Sequence, residues 1–297
     1  MSALVNFSPE LRDWISHNLK RGCTESVLVD TMLMKGFDTH VARGLVAAFA
    51  HALAHDEPLP ENSVMVDVPA SAYVPDPSRL PPGNRIRAID RHVDVLMRLR
   101  RPCVAVLGNV LSAEECAAVI ALGRPRLAPS TVVDPHSGMD RVAAHRSSEG
   151  MFFGLCEDEL IARIDQRISS LMGLPVEHGE RLQLLHYGTE CHSSPHYDFL
   201  VPQNDANRAS IARSGQRVST LVIYLNDVPA GGTTEFPELG LAITPRQGHA
   251  VYFEYANGDG QLDHATLHAG AAVDVGEKWV LTKWMRARPF VPAFLGT

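Results

Sequence analysis

The chain has 297 residues, of which 45% are hydrophobic and 21% are charged, and its formal net charge is −7 with a pI of about 6.0. These values are typical of a folded protein with one large domain, or with one domain and a small appendage. Because no basic stripe accompanies the net negative charge, we expect no nucleic-acid or other polyanionic partner.

The N-terminal sequence and the cysteines bear on the compartment. Residues 1–14 contain neither the basic region nor the apolar region of a signal peptide. The apolar stretches are far shorter than the roughly 20 residues that span a bilayer. The five cysteines are scattered and form no CxxC pair, which favours a reducing compartment over a disulfide framework. We therefore predict a cytoplasmic protein without membrane association.

Residues 1–55 predict a small helical unit. Ser8, Thr24 and Asp38 are suitable N-caps, and each is followed by apolar residues at helical spacing. Three short helices enclose only a marginal core. We therefore expect this unit to pack on the rest of the chain or on a partner, and a homodimer through these helices is one such arrangement.

Residues 56–84 are rich in proline and predict a linker, or a strap over the main domain, without regular secondary structure. The prolines are Pro58, Pro60, Pro69, Pro75, Pro77, Pro81 and Pro82.

Residues 85–297 predict an α+β domain. A strand is expected at 104–107, a helix begins at the capping box of Ser112 and Glu115, and a second amphipathic helix is expected at 157–172. The many short strand-like segments that follow predict a jelly roll, with the helices packed on one face. These segments are 181–187, 217–225, 250–255, 271–275 and 278–286.

His196 and Asp198 are the first candidate metal ligands. Residues i and i+2 of a strand point to the same face, so the two side chains would direct an imidazole and a carboxylate to one point. A third ligand would have to come from His249, His264 or His268. Two histidines and one carboxylate leave three positions open on an octahedral metal, which suits Fe(II) with a 2-oxo acid and O2. Taken alone, the HxD pair is a weak signal, because an ordinary surface or core pair is the more frequent explanation.

Lys278 is a candidate anion-binding residue. It begins a predicted strand with Val280, Thr282 and Trp284 on the same face. An inward lysine among such neighbours would need a carboxylate partner, because an unpaired buried charge is unfavourable. The alternative is a solvent-exposed lysine beside Glu277, and the local sequence does not decide between the two.

Several segments of the second half resemble the prolyl 4-hydroxylase branch of the 2-oxoglutarate/Fe(II) oxygenases. They occur in the order and with the spacing of that family, and the resemblance extends over roughly 102–290. The segments are 180–187 (ERLQLLHY), 195–198 (PHYD), 217–228 (RVSTLVIYLNDV), 231–237 (GGTTEFP), 267–279 (LHAGAAVDVGEKW) and 282–284 (TKW).

The resemblance implies a double-stranded β-helix, a jelly-roll or cupin-like fold that binds Fe(II) between its sheets. By position, the iron ligands and catalytic residues fall on His196, Asp198 and His268. The residues that the resemblance assigns to 2-oxoglutarate are Lys278, Tyr187, Thr220 and Trp284.

The resemblance also implies a reaction. Fe(II), 2-oxoglutarate and O2 would hydroxylate an unactivated C–H bond and release succinate and CO2, with ascorbate as a reductant. The expected substrate is an amino-acid unit, either a prolyl or other residue of a peptide or protein, or a free or carrier-bound small molecule. The protein would supply position and exclude water, and the metal would supply the reactivity.

Two positions bear on the substrate. Members of the branch commonly carry a tyrosine three residues before the first iron ligand, and this chain has Ser193 there. The pocket wall is therefore expected to differ. Arg217 matches a family arginine near the substrate, although an ordinary strand-edge arginine is the alternative. The polar run 201–216 is expected to be a loop, either over the site or simply solvated.

Several residues of this set also favour or disfavour other functions. A different oxidative outcome on a small metabolite, such as desaturation or cyclisation, would use the same residues. A catalytically silent sensor or binding module is disfavoured by the complete ligand set with Lys278. Asp198 disfavours a halogenase, which needs a small residue there, and no HExxH motif supports a zinc hydrolase.

Overall fold

In a computed structural model of the chain, residues 2–67, 73–129, 131–133, 140–142, 148–202 and 204–292 are described. The chain forms two compact units, Met1–Tyr73 and Val74–Thr297. Among the described residues, no helix combines the length and the apolarity that crossing a bilayer requires.

The first unit contains three helices and a two-stranded antiparallel sheet. In chain order, its elements are β1 (Ser2–Asn6), α1 (Pro9–Lys20), α2 (Glu25–Met34), α3 (Thr39–Ala54) and β2 (Ser63–Asp67). The predicted caps hold at two helices, where Ser8 accepts from the Leu11 N–H and Asp38 accepts from the N–H groups of His40 and Val41. Thr24 precedes α2 without a side-chain cap bond.

Strand β2 corrects the prediction that residues 56–84 lack regular structure. Ser63–Asp67 pairs with β1 in the register from Ser2↔Asp67 to Asn6↔Ser63. The physical reason is local, because this stretch contains two valines and no proline and therefore suits an extended ladder. The role of 56–84 as a linker or strap stays a prediction.

The first unit has its own hydrophobic core. Residues from all three helices are fully or almost fully buried, among them Ile15, Leu28, Met32, Leu45 and Phe49. The helical periodicity in the sequence therefore identified the core faces correctly. Dimerisation through these helices stays a prediction.

In its described residues, the second unit contains three further α-helices and the strands of the predicted domain. The helices are α4 (Ala113–Gly123), α5 (Glu159–Met172) and α6 (Asp205–Ser214), with short 3-10 helices at Arg124–Arg126, Val176–His178, Pro237–Leu239 and His264–Thr266. The first strands are β3 (Arg85–Arg87), β4 (His92–Leu99), β5 (Cys103–Gly108), β6 (Ala128–Pro129), β7 (Thr131–Val133), β8 (Asp140–Val142), β9 (Glu149–Phe152) and β10 (Gln183–Tyr187). The remaining strands are β11 (Ser193–His196), β12 (Arg217–Tyr224), β13 (Ala230–Gly231), β14 (Thr234–Phe236), β15 (Leu241–Ile243), β16 (Ala250–Glu254), β17 (His268–Gly270), β18 (Val273–Val275) and β19 (Lys278–Arg286).

Two antiparallel sheets form the body of this unit. The larger sheet has the order β3-β4-β5-β16-β12-β19-β10-β9-β6, and the smaller sheet has the order β11-β17-β14-β15. The sheets face each other, since the rings of Phe236 on β14 and Phe253 on β16 meet edge to face with centroids 5.3 Å apart. This arrangement is the double-stranded β-helix of the jelly-roll class, and it confirms the predicted fold class.

Strand β19 positions several side chains of the pocket between the two sheets. It lies between β12 and β10 in the larger sheet, and all nine of its residues are buried. Successive side chains point to opposite faces. Those that line the pocket between the sheets are Lys278, Val280, Thr282 and Trp284. On the other face, Lys283 reaches Asp165 of α5.

The segment 201–216 is more ordered than a loop. It contains α6, which begins after the N-cap Asn204, whose side chain accepts from the Asn207 N–H. Sequence periodicity does not indicate this helix, because its residues are mostly polar or small and show no apolar stripe. The two ends of the segment are joined, since the Gln216 side chain accepts from the Leu200 N–H (2.7 Å) and donates to the Leu200 carbonyl (2.7 Å).

Candidate metal and co-substrate site

The fold brings His196, Asp198 and His268 together between the two sheets. His196 ends β11, Asp198 follows it by two residues, and His268 begins β17, which pairs with β11. One ligand atom from each of the three lies within 4.8 Å of the others. The nearest carboxylate oxygens of Asp198 are 3.8 Å from His196 Nε2 and 3.6 Å from His268 Nε2. Of the three histidines that the sequence left open, the geometry selects His268.

Backbone carbonyls orient both imidazoles. His196 Nδ1 lies 2.8 Å from the Ser194 carbonyl, and His268 Nδ1 lies 3.1 Å from the Thr266 carbonyl. Because a carbonyl oxygen can only accept, each Nδ1 carries a hydrogen, and Nε2 is the ring atom turned towards Asp198. This is the ring orientation that a metal site requires.

Asp198 is held in its ionised form. Burial would raise the pKa of its carboxyl group, but His268, His196 and Arg217 outweigh this effect and bring the pKa below its usual value. The Thr220 hydroxyl adds to the lowering by donating to Asp198 Oδ2 over 2.7 Å. An ionised carboxylate is the state that coordinates a metal.

Lys278 faces the same pocket and is 4% exposed. Among the described residues, no carboxylate forms an ion pair with its ammonium group. Its Nζ lies 5.8 Å from the ring centroids of Tyr187 and of Tyr224. Burial lowers the pKa of Lys278 to about 8. The side chain therefore points inwards, and an anion is what its charge lacks.

Three more predicted residues line this pocket. Tyr187 lies opposite Lys278 in the β10–β19 ladder, and Trp284 lies at the other end of the same strand face. Ser193 pairs with Gly270, and a Cβ atom placed on Gly270 would lie 3.5 Å from the Ser193 Cβ. The three residues therefore lie in one pocket with Lys278 and the candidate metal ligands.

Thr220 and Arg217 have other contacts than those expected from the resemblance. Thr220 does not line the pocket beside Lys278. Its hydroxyl instead meets Asp198 and lies 3.0 Å from the Tyr255 hydroxyl. Arg217 forms a two-pronged ion pair with Glu180, and its Nη1 donates to the Asp198 carbonyl over 3.2 Å. A substrate contact by Arg217 stays a prediction.

The sequence reasoning missed two polar residues of the pocket, namely Thr234 and Gln183. Tyr224 donates its hydroxyl hydrogen to Thr234 Oγ1 over 2.8 Å, so Thr234 keeps its own hydrogen for another acceptor. Gln183 could have been found from β-strand alternation, because it lies on the same face of β10 as Tyr187. Thr234 carried no signal beyond the GGTT motif.

Two polar atoms in the wall have no partner within the described part of the chain. They are the buried Gln183 Oε1, an acceptor, and the buried Trp284 Nε1–H, a donor. Buried polar groups are normally hydrogen-bonded, so such atoms indicate a ligand or water. The pocket therefore offers a cationic end at Lys278 and a neutral polar wall at Gln183 and Trp284.

The donor set fits a hard to borderline divalent metal with open positions. Two imidazoles and one carboxylate form the facial triad that is typical of non-haem Fe(II) sites. The unpaired Lys278 in the same pocket fits a dianionic 2-oxo acid. The residues present thus match Fe(II) and 2-oxoglutarate by their chemistry.

Comparisons with known proteins agree with this chemistry. A family model for the 2OG-Fe(II) oxygenase superfamily matches residues 182–286. A probable prolyl 4-hydroxylase 10 of Arabidopsis thaliana is 37% identical over 208 residues, which cover 64% of this chain and 70% of that protein. The prolyl 4-hydroxylase subunit alpha-1 of Rattus norvegicus is 37% identical over 189 residues, which cover 63% of this chain and 35% of that subunit.

A solved structure of a viral collagen prolyl hydroxylase from Paramecium Bursaria Chlorella virus-1, in a 2OG complex, is 27% identical, covers 62% of this chain and 96% of its own, and has a TM-score of 0.49. Members of the superfamily require Fe(II), 2-oxoglutarate and O2, and the prolyl hydroxylases among them use ascorbate. The chain is therefore a 2-oxoglutarate- and Fe(II)-dependent dioxygenase, and it belongs to the prolyl 4-hydroxylase-like branch of that superfamily.

Proposed function

We propose that this enzyme hydroxylates a prolyl or related residue of a peptide or protein, with iron held by His196, Asp198 and His268. The relatives that support the prolyl substrate are prolyl 4-hydroxylases. The observation that carries the proposal is Lys278, a buried lysine without a carboxylate partner among the described residues, in the same pocket as the three candidate ligands.

Lys278 binds the distal carboxylate of 2-oxoglutarate. Its ammonium group lies in a wall of low polarity, where a charge-assisted bond is stronger than in water. The Thr234 hydroxyl and the side chain of Tyr187 complete this end of the pocket. Bound in this way, the co-substrate extends from Lys278 towards the His–Asp–His cluster.

The three ligands leave room for the reaction. A facial triad occupies three of six metal positions, so the co-substrate and O2 can share the others. Iron and 2-oxoglutarate together supply the oxidising chemistry, in which one oxygen atom enters the substrate and the other appears in succinate, with loss of CO2. Val222 and Val280 form apolar wall and keep water from the reacting atoms.

A peptide substrate would supply hydrogen-bond partners for the two unpaired polar atoms of the pocket wall. A peptide bond has one N–H and one carbonyl oxygen, which match the acceptor Gln183 Oε1 and the donor Trp284 Nε1–H. Ser193 favours a second candidate. Because Ser193 occupies the position where members of this branch commonly carry a tyrosine, and lies against Gly270, the pocket can admit another amino-acid side chain, or a free or carrier-bound amino acid.

An oxygen-dependent assay tests the proposal. Fe(II) and 2-oxoglutarate are added to the protein without oxygen and the visible charge-transfer band is recorded. Oxygen is then admitted with proline-rich peptides or free amino acids, and succinate and a 16 Da mass increase of the substrate are measured. We expect the band, and peptide-dependent succinate with a hydroxylated prolyl residue. Hydroxylation of free amino acids alone would favour the second candidate.

Two variants show whether the assigned residues carry the reaction. His268→Ala should lose both the band and succinate formation, whereas His264→Ala, three residues before the 267–279 motif and partly solvent-facing, should keep both. A protein that gives neither band nor succinate with any substrate would contradict the proposed function.

A further inference from the structure

A buried charge network lies at the end of β19 opposite to Lys278. The Glu180 carboxylate accepts from Arg217 Nε (2.7 Å) and Nη2 (2.8 Å) and from Arg286 Nη1 (2.9 Å). Glu180 is 8% exposed and Arg286 is 1% exposed. Burial would raise the pKa of Glu180, but the two guanidinium groups outweigh it and hold the pKa below its usual value. The carboxylate form of Glu180 is therefore favoured.

One end of the network touches the candidate site. Arg217 Nη1 donates to the backbone carbonyl of Asp198 over 3.2 Å, and the Arg217 guanidinium carbon lies 4.3 Å from the ring centroid of Trp284. Asp198 is a candidate ligand, and Trp284 lines the pocket. The position of Arg217 thus influences the backbone of Asp198 and the ring plane of Trp284.

The other end of the network holds the 199–216 segment. Arg286 Nε donates to the Gly215 carbonyl over 3.0 Å, and its Nη2 donates to the Ser210 carbonyl over 2.9 Å. This segment leaves the site directly after Asp198 and returns directly before Arg217. Arg286 therefore holds the end of the segment at Ser210 and Gly215. This end lies next to Arg217, which Glu180 holds.

Guanidinium geometry is essential to this arrangement. Glu180 receives bonds from two arginines at once, and each arginine also donates to at least one backbone carbonyl. A lysine keeps the charge but cannot donate in several directions within one plane. Arg286 makes no contact with the three candidate ligands in the described structure, so any effect of its replacement on the metal must pass through Glu180, Arg217 or the segment.

We propose that Glu180 and Arg286 are positioning residues of the dioxygenase: by fixing Arg217 and the 199–216 segment, they set the orientation of the Asp198 carboxylate and of the Trp284 ring. This inference rests on the proposed role of Asp198 as a metal ligand. Arg217 is then a bridge between the network and the site, rather than a residue that must bind substrate.

Cobalt binding tests the proposal without turnover. Co(II) is titrated without oxygen into the full chain and into Arg286→Lys and Glu180→Gln, by calorimetry and by the visible Co(II) absorption spectrum. We expect about tenfold weaker binding and a changed spectrum in both variants, as is typical when a partner of a metal ligand is lost. Arg217→Lys should show the same change.

Two control variants separate positioning from general stability. Asp165→Asn breaks a buried ion pair with Lys283 on the opposite face of β19 (2.7 Å) and should lower the melting temperature without changing Co(II) affinity or spectrum. Arg288→Lys alters an exposed arginine that donates to the carbonyls of Ile211 and Ala212 in the same segment and does not reach Glu180. It should leave the metal site unchanged, because Arg286 still holds the segment at Ser210 and Gly215.

The outcomes are distinct. Variants that fold and bind Co(II) like the wild type would overturn the positioning role, and so would variants that lose their folded near-UV circular dichroism together with the metal, because the network would then be purely structural. A wild-type protein that binds no Co(II) would instead contradict the proposed function itself.

Discussion

Two lysines on β19 show how one strand serves two purposes. Lys278 and Lys283 are both almost fully buried, at 4% and 1% exposure. They are an odd number of residues apart and therefore face opposite sides of the sheet. Lys283 has a carboxylate partner, Asp165 of α5, at 2.7 Å. Lys278 has none among the described residues, and it shares its pocket with the candidate metal ligands.

The difference teaches how a buried charge can be interpreted. A buried ion pair such as Lys283–Asp165 is complete within the protein, so its loss affects stability. A buried charge without a partner makes the folded protein less stable, and a ligand of opposite charge compensates for it. The same residue type in the same strand thus indicates a structural role on one face and a binding role on the other.

The largest expected effect is on stability, at Lys283 on the face of β19 that is directed towards α5. Lys283→Met should lower the free energy of unfolding by about 3–5 kcal/mol, because it leaves the Asp165 carboxylate buried without its partner. Urea unfolding measures this change, and the affinity for 2-oxoglutarate should not alter. Replacing both partners, as in Lys283→Met with Asp165→Leu, should restore most of the lost stability. A single variant as stable as the wild type would contradict the structural role.

The matched substitution on the site face should have the opposite pattern. Lys278→Met should weaken 2-oxoglutarate binding on the order of 100-fold, because loss of one partner of a buried charge pair costs about 2–5 kcal/mol. The ligand-free protein should be as stable as the wild type or more stable, since an unpaired buried charge is removed. Anaerobic titration and urea unfolding measure the two quantities. Unchanged 2-oxoglutarate affinity would disprove the assignment of Lys278.

A smaller effect is expected at Thr220, which lies on β12 beside the site face of β19. Thr220→Val removes the hydroxyl that donates to Asp198 and should weaken Co(II) binding about 10-fold. Thr220→Ser keeps the hydroxyl and should bind nearly as well as the wild type. If Thr220→Val raised only the KM for 2-oxoglutarate, the role that the family resemblance gave this residue would be correct instead.

The smallest effect is a pH dependence. The pKa of Lys278 is lowered by burial to about 8. Below this pH the ammonium form can pair with a carboxylate, and above it the amine is neutral. We therefore expect the dissociation constant of 2-oxoglutarate to rise about tenfold per pH unit above pH 8. Lys278→Arg should remove the dependence, because arginine stays charged, and a flat profile in the wild type would contradict the assignment.

Much of the fold could be predicted because it depends on local patterns. The capping box of Ser112 and Glu115 and the strand of Lys278 are formed as expected. His196 and Asp198 lie close together as expected, although the strand ends at His196. Strand β2 could not be predicted with the same ease, because its partner β1 lies almost sixty residues earlier and its neighbours are rich in proline.

The site was harder to predict where it depends on long-range contacts. The choice of His268 and the inward direction of Lys278 needed a family resemblance, since the local sequence allowed alternatives. The contact of Thr220 with Asp198 and the ion pair of Arg217 with Glu180 join segments that are 22 and 37 residues apart. No periodicity in the sequence specifies such pairs, because they arise only when the strands assume their register.

The alternation along β19 also limits how this gene can vary. A deletion or insertion of one residue between Lys278 and Lys283 would put one of the two lysines on the wrong face, so that either the anion site or the Asp165 pair is lost. A change of two residues would preserve the faces and shift only the depth along the strand. Length changes of two residues in this strand should therefore be tolerated, whereas changes of one residue should not. In a library of one- and two-codon insertions, only the two-codon insertions should retain both the anion site and the Asp165 pair.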